Sequence, residues 1–328
     1  MMTMNNNVYK QQRGFSLVEM MVAMLISLII MGGILSLYTD IRDVQRVSED
    51  QIQVVSNARF VIDTIAYDLR HAGVFGGTNL PTTIKCYKGD PNCPTALTTA
   101  AGDCETRWYL DITVPIFASE AVNPYTTCPI TSHKSNTDLL VVRYADSNPV
   151  ATASLVASTP YVRSNYQAGE LFIGTTPPVI PDDTSALTNN HLLVSRAYYV
   201  SDFTDYAGDG IPSLRRVDLV AGPAVQDQLI LPGVENLQIQ FGVDTDKDRS
   251  VDQYVNADQV PDWTKVYSAR VWVLVRGERV DNAVDTSATF SIAGNNVSFG
   301  NDGYRRLLMS SVINLRNMIR VDELSVGG

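Results

Sequence analysis

Hydrophobic and polar positions fall into three regimes along the 328 residues. From Met20 to Thr39, twenty consecutive residues carry no charge, and Met, Leu, Ile and Val dominate them. As a helix rising about 1.5 Å per residue, this run spans roughly 30 Å, the thickness of a hydrocarbon core. From Asp40 the pattern turns amphipathic without a breaker. Val44, Val47, Val54, Ala58, Val61, Ile62, Ile65 and Leu69 recur chiefly at steps of three, four and seven, between Arg42, Asp43, Arg46, Glu49, Asp50 and Asp63. His71 and Gly73 mark the end of this pattern. Together the two segments predict one helix from about Phe15 to Ala72, about 85 Å long. Gly32-Gly33 lies inside it, at a cost of about 2 kcal/mol relative to Ala. Small residues there serve either close packing or local melting.

The third regime reads as strands. After Gly73 the chain is rich in Thr, Pro and Gly to about residue 136, with a short strand predicted at Arg107–Val114. Strand-like runs follow at Asp138–Tyr144, Glu170–Gly174, His191–Val200, Leu214–Val220, Gln228–Leu231, Val234–Val243 and Val266–Arg276. The turn GDGIPS at Gly208–Ser213 joins two of them as a hairpin. Tyr304–Arg316 has a helix-like composition, but Leu307, Met309, Ser311, Ile313 and Leu315 alternate with Arg306, Leu308, Ser310 and Asn314, which favours a strand. The predicted fold class is α+β: a long helix packed on a mainly antiparallel sheet.

The flanks of the uncharged run narrow its meaning. Lys10 and Arg13 precede it, so the N-terminus is expected to stay cytoplasmic and the rest to be exported. A secretory signal peptide would place a small-residue cleavage site after its apolar core, and none follows here. A plain signal anchor explains the span but not Glu19. A carboxylate in a membrane helix costs about 2.5–3.5 kcal/mol at mid-bilayer and less near the interface.

Arg13-Gly14-Phe15-Ser16-Leu17-Val18-Glu19 resembles the prepilin signal of type IV pilins and type II secretion pseudopilins. The resemblance implies cleavage between Gly14 and Phe15 by a prepilin peptidase, with methylation of the new Phe15 amine. It implies four regions: a leader at 1–14, a transmembrane or filament-core helix at 15–39, the amphipathic half at 40–72, and a β-rich head at 73–328 with an insertion around 76–136. Glu19 would neutralise the Phe15 amine of a neighbouring helix, since an isolated buried charge is heavily penalised. ARFVIDTIAYDLRHAG, GDGIPSLRR, GVENLQIQFGVDTDKDRSVDQYV and YRRLLMSSVINLRN resemble PilW-like minor pilins. Such proteins join other minor pilins and the major pilin in a complex that primes assembly and sits at the pilus tip beneath a large adhesin. The expected path runs from the inner membrane, with a periplasmic head, to the cell surface, in adhesion or twitching motility. A minor pseudopilin of a type II secretion system is the alternative, and a signal-anchored periplasmic protein a more distant one.

Composition changes this picture little. The net charge of −10 becomes −12 without the leader's Lys10 and Arg13, which disfavours direct nucleic-acid binding. Arg215-Arg216 and Arg305-Arg306 read as solvated strand ends. Cys86, Cys93, Cys104 and Cys128 lie within 43 residues. Their spacing suits disulfides in an oxidising compartment better than zinc, and of three pairings Cys86–Cys93 with Cys104–Cys128 is preferred. His71, His133 and His191 are isolated, and no catalytic fingerprint is found, so no enzyme activity and no required cofactor are expected. One constellation suits Ca2+: Asp244, Asp246, Asp248 and Asp252 alternate, with Ser250 as a further carbonyl ligand. Arg249 stands where an EF-hand has Gly, and Val255 where it has Glu, so the loop is either a looser calcium site or an acidic turn.

Overall fold

The computed structural model describes residues 14–319 except 88–89, 91–107, 126–127, 131, 185, 247 and 282–283. Helix α1 runs without interruption from Leu17 to His71, through Gly32-Gly33. The chain divides into two compact units, residues 1–52 and 53–328, and α1 contributes to both. In the first unit the large apolar side chains from Phe15 to Ile41 are exposed, and the helix is long and apolar enough to cross a membrane.

In the second unit the remainder of α1 is striped. Val54, Ala58, Val61, Ile62, Ile65, Ala66, Leu69 and Ala72 are buried, at the spacing that puts them on one face. Gly73 ends the helix in the left-handed region (φ 83°), its N–H donating to the Arg143 carbonyl at 3.1 Å. A Cβ there would also lie 3.0 Å from Met318 Sδ.

Two sheets receive this stripe. The eight-stranded sheet comprises β1 (Ile84–Lys85), β2 (Ile116–Ser119), β3 (Leu139–Val150), β4 (Pro160–Ser164), β5 (Gly169–Ile173), β6 (Asn189–Ser201), β7 (Ser213–Val220) and β8 (Ala224–Pro232). Every pairing in it is antiparallel except β1 with β5. Strand β6 pairs β3 along one edge; its other edge meets β4 at Asn189–Leu192 and β7 at Arg196–Ser201. The four-stranded sheet has the order β10 (Gln253–Asn256), β9 (Val234–Val243), β11 (Val266–Val280), β14 (Tyr304–Asn314), all antiparallel. A separate hairpin joins β12 (Ala288–Ile292) to β13 (Asn295–Phe299).

One core joins the helix stripe to Leu140, Val142, Tyr198 and Val200 of the first sheet and to Leu237, Ile239, Phe241, Val271, Val273 and Ile313 of the second. Each such aliphatic side chain contributes about 1.5–3 kcal/mol on burial. A second core lies on alternate residues: Leu139, Val141, Leu193, Ala197 and Tyr199 pack with Phe75, Trp108, Tyr109, Leu110 and Ile112 of the preceding segment. The first sheet is therefore buried on both faces, which is why DLLVVRY and HLLVSRAYYV carry consecutive apolar residues rather than a strict alternation.

Most predicted strands form, and the GDGIPS turn links β6 to β7 as a hairpin. Of the strand expected at Arg107–Val114, the described residues 108–114 form none. Trp108–Leu110 forms a 3-10 turn whose three consecutive side chains are all buried, which a pleated strand covered on one face cannot achieve, and β2 begins only at Ile116. The arginine pairs also depart from expectation. Arg215 bonds Asp227 (2.8 Å) and Asp205 (3.1 Å), Arg216 bonds Asp218 (2.7 Å), and Arg305 bonds Asp281 (2.7 Å). Arg306 holds Glu235 at 2.6 Å and Asp302 at 2.5 Å. These arginines are ion-paired and largely covered, not solvated.

Asp68 interrupts the apolar stripe of α1 and is 1% exposed. Its Oδ1 accepts from Tyr144 Oη (2.8 Å) and Arg196 Nη1 (2.7 Å), and its Oδ2 from Tyr198 Oη (2.5 Å). Arg196 Nε reaches on to Asp218 (2.9 Å), which also binds Arg216. Burial, then the Asp68 charge, pushes both tyrosines well above the ordinary phenol range, so they serve as neutral donors. A cleft of about 400 Å³ opens beside this network, between Phe60, Tyr67 and Arg216. Removing one partner from a buried network leaves the others uncompensated. Asp68→Ala is thus expected to destabilise the full-length protein by about 3–5 kcal/mol in urea unfolding in micelles, and a loss under 1 kcal/mol would contradict this account.

Candidate functional sites at the helix start and in an acidic loop

At the N-terminus, Gly14 and Phe15 are exposed and α1 begins two residues later. The first turn is closed by a reciprocal pair: Ser16 N–H donates to Glu19 Oε2 (2.8 Å), and Glu19 N–H donates to Ser16 Oγ (3.2 Å). This is a capping box, the S-x-x-E pattern that satisfies two otherwise orphaned donors. Such a cap contributes about 1 kcal/mol. The negative side chain also sits where the helix dipole is positive. Glu19 thus has a partner within its own chain, a role that the sequence reading missed although its signature was in plain view.

The acidic loop lies between β9 and β10. Asp244, Asp246 and Asp252 each bring a carboxylate oxygen within 4.8 Å of the others. Asp244 is buried; Asp246 and Asp252 are exposed. Asp248 stands outside this group, its Oδ1 accepting from Ser250 N–H (2.7 Å) and Oγ–H (2.6 Å). Asp252 Oδ2 accepts from Thr245 N–H (2.7 Å) and Oγ1–H (2.6 Å), and Asp244 Oδ2 accepts from Arg249 N–H (2.9 Å). The hydroxyl bonds of Ser250 and Thr245 hold Asp248 and Asp252 below the usual carboxylate range, so both are charged at neutral pH.

Arg249 adopts φ 70°, the left-handed conformation that glycine supplies in tighter calcium loops. The turn is made without the glycine. Val255 lies in β10 opposite Phe241, where it supplies no ligand. Gly242 sets the base of the loop. A Cβ at that position would lie 2.2 Å from Ser268 Oγ and 2.7 Å from Val251 Cγ1.

The remaining candidates do not assemble. His71 Nδ1 donates to the Tyr67 carbonyl (2.8 Å) at the end of α1, and His191 Nδ1 to the Asp146 carbonyl (2.8 Å). His133 contacts Thr137. Cys86 and Cys128 are both buried in the second core. Cys93 and Cys104 lie outside the described residues, and with them both expected pairings.

Residues 197–317 match the family described as type IV pilus-assembly protein W, and residues 9–35 match the prokaryotic N-terminal methylation motif. The first match runs from β6 to the turn after β14; the second contains Gly14, Phe15, Ser16 and Glu19. No curated protein and no solved structure matches this chain. The loop geometry makes its own prediction. Gly242→Ala is expected to push Val251 outward and to raise hydrogen exchange across residues 244–252 in mass spectrometry, leaving β14 protected; unchanged protection of the loop would refute this.

Proposed function

We propose that this chain is a PilW-like type IV pilin and, more narrowly, a minor pilin, joining other minor pilins and the major pilin in the complex that primes pilus assembly. The observation that carries this reading is the match of the head to an assembly-protein family together with a methylation-type N-terminus on the same chain. The reading assigns no catalysis to the head. It places the protein in the inner membrane by its apolar helix, with the head in the periplasm, and then at the pilus tip beneath a large adhesin. Disulfides among the four cysteines suit that route.

In this reading a prepilin peptidase cuts between Gly14 and Phe15 and methylates the new amine. Glu19 then has two tasks. Its capping bond holds the first turn of its own helix, and its charge offsets the Phe15 amine of a neighbouring subunit in an apolar bundle. Substitution separates them, because Gln also serves at this position of a capping box. Glu19→Gln is expected to preserve processing, with mass spectrometry giving a mature chain that begins at Phe15, but to reduce recovery in sheared pili at least tenfold. Glu19→Ala should lose both recovery and helix order. Full incorporation of Glu19→Gln, or a mature protein that keeps residues 1–14, would defeat the proposal. Loss of surface pili with intact type II secretion on deletion would decide against the pseudopilin alternative.

The convergence of Asp244, Asp246 and Asp252 favours a second, separate activity: binding of Ca2+, a hard cation that takes carboxylate oxygens in flexible numbers. Asp248 and Ser250, bonded to each other, brace the turn. Ligand binding to the folded state alone raises its stability. Thermal unfolding of the full-length protein in micelles is expected to shift upward by several degrees in millimolar calcium relative to chelator, and not to shift in Asp244→Asn. An unmoved wild-type midpoint would end the calcium reading.

A further inference from the structure

Strand β11 has two faces. Ala269, Val271 and Val273 enter the core with the helix stripe, so Arg270 and Trp272 stand on the other side of the four-stranded sheet. The guanidinium carbon of Arg270 lies over the Tyr254 ring, 4.1 Å from its centroid, and over the Trp272 ring at 5.6 Å. Tyr254 comes from β10, opposite Gly242 of β9, and Gly242 in turn faces Ser268 of β11. Across the gap that glycine leaves, Ser268 Oγ–H donates to Tyr254 Oη (2.9 Å), and a Cβ at Gly242 would collide with that hydroxyl. The aromatic seat of Arg270 is thus fixed from three strands.

A guanidinium lying over a ring gives up its face and keeps its edge, and the edge carries all five N–H donors. Within the chain that edge is unused: Arg270 has no hydrogen bond and no ion pair among the described residues. Arg163, Arg196, Arg215, Arg216, Arg305 and Arg306, by contrast, each bond a carboxylate. The cross-strand neighbours of Arg270 are Gln240 and Val312, and Ser268 and Trp272 flank it on its own strand; none is charged. A partly covered cation without a counter-charge, already oriented by two rings, is built to receive an anion from outside. Beside it Val312 is 50% exposed, an apolar contact next to the charge.

We propose that Arg270, seated on Tyr254 and Trp272, is a docking point for a carboxylate side chain of a partner protein, an Asp or Glu with an apolar neighbour. The planar fork meets the two carboxylate oxygens with parallel N–H bonds, and Val312 covers the apolar neighbour. Charge selects among anions. The chain carries a net charge of −10, which repels a polyanion such as a nucleic-acid backbone far more than a single acid presented on a protein surface. Such docking needs the folded head alone and holds whether or not the chain primes a pilus.

The test uses the full-length protein in neutral detergent micelles and a capped peptide, trifluoroacetyl-Ala-Glu-Ala-amide, whose binding is followed by fluorine NMR line broadening. Wild type is expected to bind this peptide with a dissociation constant on the order of 1 mM, about tenfold tighter than the matching Ala-Gln-Ala peptide. Arg270→Gln should remove that preference. Arg270→Lys should restore little of it, because an ammonium keeps the charge but neither the fork nor the stacking. Single-stranded DNA at an equal concentration of phosphate groups is expected not to displace the peptide. Equal binding of the two peptides by wild type, or undiminished preference in Arg270→Lys, overturns the docking point. Displacement by DNA overturns the choice of a protein carboxylate as its occupant. If Arg270→Gln fails to fold, the comparison of the two peptides on wild type and on Arg270→Lys decides.

Discussion

The apolar stripe that α1 carries from Val54 to Ala72 must be covered, and the head is arranged around that requirement. Neither sheet covers it alone. Side chains from β3, β6 and β7 meet it on one side and side chains from β9, β11 and β14 on the other, in one continuous core. The helix is thus the element on which both sheets depend. Asp68 sets their position more finely, because its carboxylate must find donors within the dry interface, and Tyr144, Arg196 and Tyr198 supply them from β3 and β6. An apolar side chain would fill the same space without fixing which strands lie beneath it.

The helix was legible because its two signals are strong and continuous: an uncharged run of membrane length and a stripe at helical spacing. The long strands β3, β6, β9 and β11 were legible for a related reason, since aliphatic and aromatic runs of ten residues leave few alternatives. What escaped notice was short or held by distant partners. Hairpin β12–β13 turns through Ala293 and Gly294, both with positive φ, and the first of these is a residue that does not announce a turn. The Trp108 turn obeys the second core rather than any local period.

The sites divide along the same line. The spacing of acids from Asp244 to Asp252 announced a loop, but not that Asp248 would turn away to Ser250 while Asp244, Asp246 and Asp252 converge. Asp68 stood in the sequence as a charge inside an apolar stripe, which is the signal that could have identified it. Asp138 gave no such signal, because an acid before an apolar strand reads as a solvated strand start. Its burial comes from β9, about a hundred residues later, and no local pattern carries that information.

At the helix start one carboxylate can serve two purposes because of its geometry. An ionised Glu has two oxygens and about four acceptor positions. The bond from Ser16 N–H occupies one position on Oε2, leaving Oε1 and the remaining lone pairs for a cation. That bond also orients the side chain over the first turn, so a pairing amine meets a carboxylate already held in place rather than a free rotor. Ordering a Glu side chain on binding costs up to about 1.5–2 kcal/mol, and the cap has met much of that cost in advance. Under the proposed assembly role, Ser16 would act through Glu19, as the residue that holds the acid where a neighbouring amine would arrive.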